Sequence, residues 1–277
     1  MRSVRADRHK PRRELKRRGA PLLIAAPATI GMAFLLIPLI ALLVRAPWRG
    51  MARLLSDHQV LTALRLSLEC ATAAMLISLL LGVPLAWVLA RVQFPGIGAL
   101  RGLVTLPLVL PPVVGGLALL LALGRSGILG RYLDSWFGVT LPFTTAGVII
   151  AETFVAMPFL VVTVEGAIRS ADPDLEEAAA TLRASRMTIF RRITLPLIGP
   201  SLLAGSALAW ARALGEFGAT ITFAGSFPGT TQTMPLAVYQ ALETDPEAAI
   251  ALSLLLLLVA AGVLIFLRDR LRSSPAI

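Results

Sequence analysis

Four charged side chains lie inside long apolar runs of this chain: Glu69, Glu152, Arg212 and Glu216. A charge in hydrocarbon is costly, and such residues face a partner or a cavity. Arg212 and Glu216 are spaced i, i+4, and Arg65 and Glu69 repeat the spacing at the mouth of another run. On one helix each carboxylate then has a cation one turn away. Two readings follow: ion pairs that lock helices together, or groups with a direct part in passing an anion. Hydroxyls follow Glu216 at Thr220, Thr222, Ser226, Thr230, Thr231 and Thr233. They offer neutral donors, or they are ordinary loop residues. Bond-making chemistry finds no comparable set. There is no G-x-x-x-x-G-K-[ST] to cradle nucleotide phosphates, no H-E-x-x-H and no convincing Ser-His-Asp group. His9 and His58 stand in loops without ligand spacing, and Cys70 is the only cysteine. An intramolecular disulfide and a cysteine-based metal site are therefore excluded. No cofactor is expected.

The elements that must position these residues are membrane-spanning helices. Of 277 residues, 56% are hydrophobic and only 15% charged, against about a quarter charged in soluble domains. Apolar runs cover roughly 21–44, 66–90, 102–123, 142–164, 197–223 and 248–267. Each is long enough to cross about 30 Å of hydrocarbon at about 1.5 Å per residue. The expected fold is all-α, an integral membrane protein with six transmembrane helices. The net charge of +10 could point to nucleic acid, but no aromatic-basic module accompanies it. The positive-inside rule accounts for it better. The tail, the 91–101 and 165–196 loops and the C-terminal segment hold 19 Lys and Arg, and the opposite loops hold six. Both termini are therefore expected in the cytoplasm of a multi-pass cell-membrane protein.

This reading divides the chain into a basic cytoplasmic tail (1–20), a first span with an external connection (21–59), a main transmembrane domain (60–268) and a C-terminal tail (269–277). Residues 45–60 could include a short surface helix, and Pro235–Leu242 a short external one. The third run carries Pro107, Pro111, Pro112, Gly115 and Gly116. Proline removes a donor and bends a helix, and the freed carbonyls need protein or water partners. The bend either lines a pathway or serves packing alone.

Between the fourth and fifth runs lies the charge-rich stretch Glu165–Pro200. Asp172-Pro173 can open a helix, one capping free N–H groups and the other suiting the first position. Asp174, Glu176 and Glu177 then complement the helix dipole. Leu175, Ala178, Ala179 and Leu182 form one apolar face. That face is too small for a core, and it suits docking into another protein. Ser185 can cap a second short helix bearing Ile189, Phe190 and Ile193 and the basic Arg186, Arg191 and Arg192. A basic membrane-surface helix is the competing reading, but Glu176 and Glu177 sit badly against anionic lipid.

Glu177-Ala178-Ala179, three residues, a turn position, nine residues and Ile193-x-Leu195-Pro196 resemble the EAA loop of ABC importer permeases. The resemblance implies a coupling helix, with Asp174, Leu175, Glu177, Ala178, Ala179, Leu182 and Arg183 contacting an ATPase subunit. Arg183 departs from that family's usual glycine. Arginine is a good helix former, so the first helix is expected to run through Arg183 and break at Ala184-Ser185. Leu106–Pro112 (LPLVLPP) is similar to a segment of oxyanion permeases, which favours the pathway reading of Pro111 and Pro112. Arg212-Ala-Leu-Gly-Glu216-Phe-Gly-Ala-Thr220, with PGTTQTMPLAVYQALE after it, resembles the fifth span and external loop of molybdate/tungstate permeases. Sulfate permeases share its first part.

The resemblance covers about 60–268. It implies a permease homodimer with two ATPase subunits and an external oxyanion-binding protein, embedded in membrane lipid and without nucleic acid. ATP hydrolysis would belong to the partner subunits, so the chain itself would not be an enzyme. Arg212, Glu216, Thr220 and Thr222 join the two prolines as the expected pathway set. Weak hydroxyl sites would suit a tetrahedral dianion that must not be trapped. Two other functions stay open: a sulfate or thiosulfate permease, and a self-contained channel or secondary transporter. The last predicts an internal repeat and a buried ionisable relay, and neither is evident.

Overall fold

The computed structural model describes residues 22–273. The basic tail, 1–20, and the last four residues lie outside that range. Residues up to Arg45 and those from Ala46 onward form two separate units. The first unit contributes α1 (Leu22–Val44), a continuous helix despite Pro27 and Pro38. Its apolar composition suits a span with lipid as its surroundings.

In the second unit, too, every regular element among the described residues is a helix. A short α2 (Met51–Leu55) leads to α3 (His58–Arg91), capped by the Asp57 carboxylate, which accepts from the Gln59 N–H at 2.7 Å. α4 (Ile97–Val109), α5 (Pro112–Leu123) and the short α6 (Gly130–Phe137) follow. α7 (Thr145–Ser170) is capped by Thr144, whose hydroxyl accepts from the Gly147 N–H. The loop segment contains α8 (Pro173–Thr181), α9 (Arg186–Ile189), a π turn (Phe190–Thr194) and α10 (Leu195–Leu197). α11 (Gly199–Leu214), α12 (Gly218–Ala224), α13 (Met234–Thr244) and α14 (Pro246–Ser273) complete the chain. The surface helix expected within 45–60 is α2, and the external helix expected at 235–242 is α13.

The core is where α3, α7 and α11 meet. Ala71, Ala74, Ala86 and Leu89 of α3 pack with Leu160, Val161, Val164 and Ile168 of α7 and Ala209, Trp210 and Ala213 of α11. Small residues let helix backbones approach where lipid offers no hydrophobic drive for association. At Gly82 any Cβ would lie 2.9 Å from a Leu160 methyl. Trp210 Nε1 donates to Thr72 Oγ1 at 3.2 Å, which satisfies the one polar atom of a buried ring.

Among the described residues four helices are long and apolar enough to cross a membrane, and up to six crossings result if each of two bent pairs counts as one. The bent pairs change the expected third and fifth runs. α4 and α5 are bent by 118° relative to one another, so Pro111 and Pro112 turn the chain past a right angle. Leu110, which precedes Pro111, is extended at ψ 130°, and Pro112 opens the new helix. A residue before proline is driven out of the helical region, and proline suits a first helical turn. The fifth run breaks twice. It bends by 73° at Ile198, and α11 ends at Leu214 before α12 begins at Gly218.

Candidate functional site

The second unit has polar contacts at two ends of its helices. At one, the C-terminal ends of α3 and α7 meet the start of α4 and the α8–α10 segment. Arg101 pairs with Glu165 at 2.7 Å and also donates to the Leu89 carbonyl, while Arg169 lies 3.5 Å from the same carboxylate. At the other end, the Met234 N–H donates to Ser67 Oγ and the Thr145 hydroxyl donates to the Thr230 carbonyl.

α8 forms as its sequence dictates. The Asp172 carboxylate accepts from the Asp174 N–H at 3.0 Å, Pro173 stands first, and Asp174 and Glu176 occupy the first turn. Its apolar face is largely open among the described residues: Leu175 is 49% and Leu182 84% exposed. Ala178 is also exposed, and Ala179 is half-buried.

The end of α8 corrects the expectation for Arg183. The helix stops at Thr181, and Arg183 takes a positive φ of 59°. The Ala184 N–H donates to the Ala179 carbonyl at 3.1 Å and the Arg183 N–H to the Ala180 carbonyl at 2.9 Å. These two bonds define a Schellman turn, which satisfies carbonyls that a simple helix end leaves open. They offset the roughly 1–2 kcal/mol that an L residue loses in left-handed space. Turn geometry thus overrides helix propensity, and the arginine occupies a position that favours glycine. Ser185 does cap α9, accepting from the Thr188 N–H at 3.2 Å.

The acidic residue that ties α8 to the body is Glu176, which the sequence marked only as a dipole charge. Its Oε1 accepts from Arg91 Nη2 at 3.0 Å and from Thr194 Oγ1 at 2.9 Å. One carboxylate thereby joins α8 to the end of α3 and to the π turn. Glu177 is exposed, and with Glu176, Trp87, Arg91 and Phe190 it lines a cleft of about 620 Å³. Arg91, Arg101, Glu165, Glu176 and Thr194 have no sequence signature as a group, because partners such as Arg91 and Glu176 are 85 residues apart.

Toward the other end, α5 crosses α12 on two glycines. A Cβ on Gly218 would lie 2.8 Å from Pro112 Cβ, and one on Gly116 would lie 2.7 Å from Thr222 Cβ. Of the expected pathway set, the crossing thus holds Pro112 against Gly218 and Thr222 against Gly116. Pro111 and Pro112 are exposed at the break. Arg212 and Glu216 pair, with Nη1 and Oε2 2.5 Å apart outside hydrogen-bond angles. They do not share one uninterrupted helix, which is a second correction. Glu216 stands past the end of α11 and its Oε1 accepts from the Ala219 N–H at 2.8 Å, capping α12. Glu216 is 1% exposed. The Thr222 hydroxyl is committed to the Gly218 carbonyl, and Thr231 Oγ1 accepts from the Phe227 N–H. The hydroxyls of Thr220, Ser226 and Thr233 are buried without a hydrogen-bond partner among the described residues. Glu152 is buried too, with Oε2 unpartnered. Arg65 and Glu69 pair at 2.6 Å on an exposed face of α3.

The exposed face of α8 and the broken spans belong to a class of protein that the sequence family defines. The family described as binding-protein-dependent transport system inner membrane component matches residues 82–272, and this chain belongs to it. Its members are transport permeases, not enzymes. The molybdenum transport system permease protein ModB of Mycobacterium tuberculosis is 50% identical over 245 residues, which covers 88% of this chain and 92% of that one. The sulfate transport system permease protein CysT of Salmonella typhimurium is 36% identical over 243 residues, covering 86% and 87%. Among solved structures, a chain of a bacterial ABC transporter that imports alginate superposes with a TM-score of 0.76. It covers 92% of this chain and 96% of that one, at 22% identity, and it carries the fold alone.

Proposed function

We propose that the chain is the membrane-pathway subunit of an ABC importer for molybdate or tungstate. The observation that carries this reading is the 50% identity, over nearly the whole chain, to a molybdenum permease, against 36% to a sulfate permease. On this reading the transmembrane domain runs over 60–268. Two copies form the pathway, two ATPase subunits supply the energy, and an external oxyanion-binding protein delivers the cargo. Both termini, the 91–101 loop and the 165–196 loop with its α8–α10 segment face the cytoplasm, in keeping with 19 basic residues there against six opposite.

The exposed Leu175–Leu182 face supports a partner on α8. ATP-driven closure of the ATPase pair would draw the two α8 helices together, and the Glu176 link would carry that motion to α3 and the π turn. Asp174, Leu175, Glu177, Ala178, Ala179, Leu182 and Arg183 are assigned to the ATPase contact. Pro111, Pro112, Arg212, Glu216, Thr220 and Thr222 are assigned to the pathway. Glu216 and Arg212 act there by holding the α11–α12 junction, and the unpartnered Thr220 hydroxyl is the free donor of the set.

The test is ATP hydrolysis by the reconstituted complex with its binding protein loaded with molybdate, tungstate or sulfate. Stimulation by molybdate or tungstate and not by sulfate is expected. Stimulation by sulfate alone would replace this reading with the sulfate permease.

A further inference from the structure

The second half of the α8–α10 segment has a chemistry that docking of α8 leaves unused. Seven arginines gather at this end: Arg91, Arg101, Arg169, Arg183, Arg186, Arg191 and Arg192. Three have a carboxylate partner, Arg91 in Glu176 and both Arg101 and Arg169 in Glu165, which they share. Arg183, Arg186, Arg191 and Arg192 are exposed and have no carboxylate partner among the described residues. The acids of the segment, Asp174, Glu176 and Glu177, lie on α8 and the free bases lie after it. The loop is thus divided by charge.

Two hollows meet at Met187. One, of about 460 Å³, is lined by Ser185, Thr188, Arg191 and Arg192 as well as Met187. The other, of about 260 Å³, is apolar and runs along Pro84, Trp87 and Val88 of α3, with Phe190 and Arg186. That stretch belongs to a helix of membrane-spanning length and composition. Arginine and hydroxyl donors beside an apolar groove on the flank of a span match a phosphodiester head joined to an acyl chain. Arginine recognises phosphate through paired N–H donors, and tryptophan is favoured at the depth where headgroups meet hydrocarbon. An acidic protein segment would answer the arginines but not the groove, which opens on a helix made to face lipid.

We propose that these hollows bind an anionic phospholipid, its phosphate among Arg186, Arg191 and Arg192 and one acyl chain along Pro84, Trp87 and Val88. The inference rests on the reading that α8–α10 faces the cytoplasm beside an ATPase subunit. The bound lipid would hold α9 and the π turn at the membrane surface while α8, beyond the Schellman turn at Arg183, follows its partner.

The test uses the complete complex with its ATPase subunits in nanodiscs of phosphatidylcholine mixed with phosphatidylglycerol. Native mass spectrometry counts the phosphatidylglycerol retained by each complex. The unaltered complex should retain it in preference to phosphatidylcholine. Each arginine changed to glutamine should weaken retention about fivefold, and the R186Q/R191Q/R192Q variant on the order of a hundredfold. Arg53→Gln, an exposed arginine at the opposite end, should change nothing. If the triple variant does not assemble, Met187→Glu gives the same reading by charging the junction of the two hollows. Equal retention by the unaltered and altered complexes overturns the proposal. So does loss of phosphatidylglycerol when ATPase subunits join the permease, since a protein would then cover the arginines. Failure of the permease to assemble with any ATPase subunit would sink the importer reading instead, whereas an assembled complex without retained lipid sinks only this one.

Discussion

Replacing Arg183 with glycine should tighten the loop after α8. Arg183 sits at φ 59° as the left-handed residue of the Schellman turn. An L residue there loses roughly 1–2 kcal/mol, and glycine loses almost none of it. Glycine in turn gives up about 0.5–1 kcal/mol more backbone entropy on ordering. The Arg183 side chain is exposed and makes no ion pair among the described residues, so its removal subtracts nothing from the folded state. The net gain is about 0.5–1 kcal/mol, a factor of roughly two to five in the local opening equilibrium. The Ala184 N–H, bonded to the Ala179 carbonyl, reports that equilibrium directly. Hydrogen exchange at Ala184 should slow by that factor in R183G, while exchange in the α3–α7 core stays the same. A valine at the position should speed exchange, because a branched side chain is worse in left-handed space. Unchanged or faster exchange at Ala184 in R183G would refute the strain.

The remaining predictions concern the other contacts. Removing Glu176 strands Arg91 and Thr194, so Glu176→Ala should cost about 2 kcal/mol, and a double-mutant cycle with Arg91→Ala should give a coupling of about 1 kcal/mol or more. A cycle energy near zero would remove Glu176 as the tie between α8 and α3. Gly218→Ala places a methyl 2.8 Å from Pro112 Cβ and should cost about 1–3 kcal/mol and depress uptake, while Gly102→Ala, with open space around it, should do neither. Equal behaviour of the two in thermal unfolding and uptake would show that the α5–α12 crossing is not tight. Glu216→Ala leaves Arg212 unpaired and the Ala219 N–H uncapped, at a cost of about 3 kcal/mol, and the double change with Arg212→Ala should be milder. A double variant less stable than Glu216→Ala alone would exclude the pair as a structural lock. Single cysteines at the exposed Ser135 and Ser185 should respectively react with and resist an impermeant external thiol reagent in sealed cells. Labelling of Ser185→Cys would invert the topology.

Composition and period were enough to specify an all-helical membrane protein, because a backbone in hydrocarbon must satisfy its own hydrogen bonds and spans of that length leave little choice. Local chemistry was equally legible where cause and effect are neighbours: the Asp172 and Ser185 caps, the Pro173 start and the exposed Leu175–Leu182 face all follow from residues a few positions apart. Three features were settled only by the structure, the first by local backbone hydrogen bonds and the other two by tertiary packing. At Arg183 the carbonyls of a helix end outweighed side-chain propensity, which no single-residue preference expresses. At Pro111 and Pro112 the sequence predicts a bend, but the 118° between α4 and α5 depends on what packs against them. α12 fits there only because Gly116 and Gly218 carry no Cβ. The Arg91–Glu176–Thr194 tie joins parts of the chain up to 103 positions apart, counted from Arg91 to Thr194, and the Arg101–Glu165 pair spans 64. Contacts of that reach follow from how the helices pack, because a side chain's neighbours in space are set by the whole bundle and not by its neighbours in sequence.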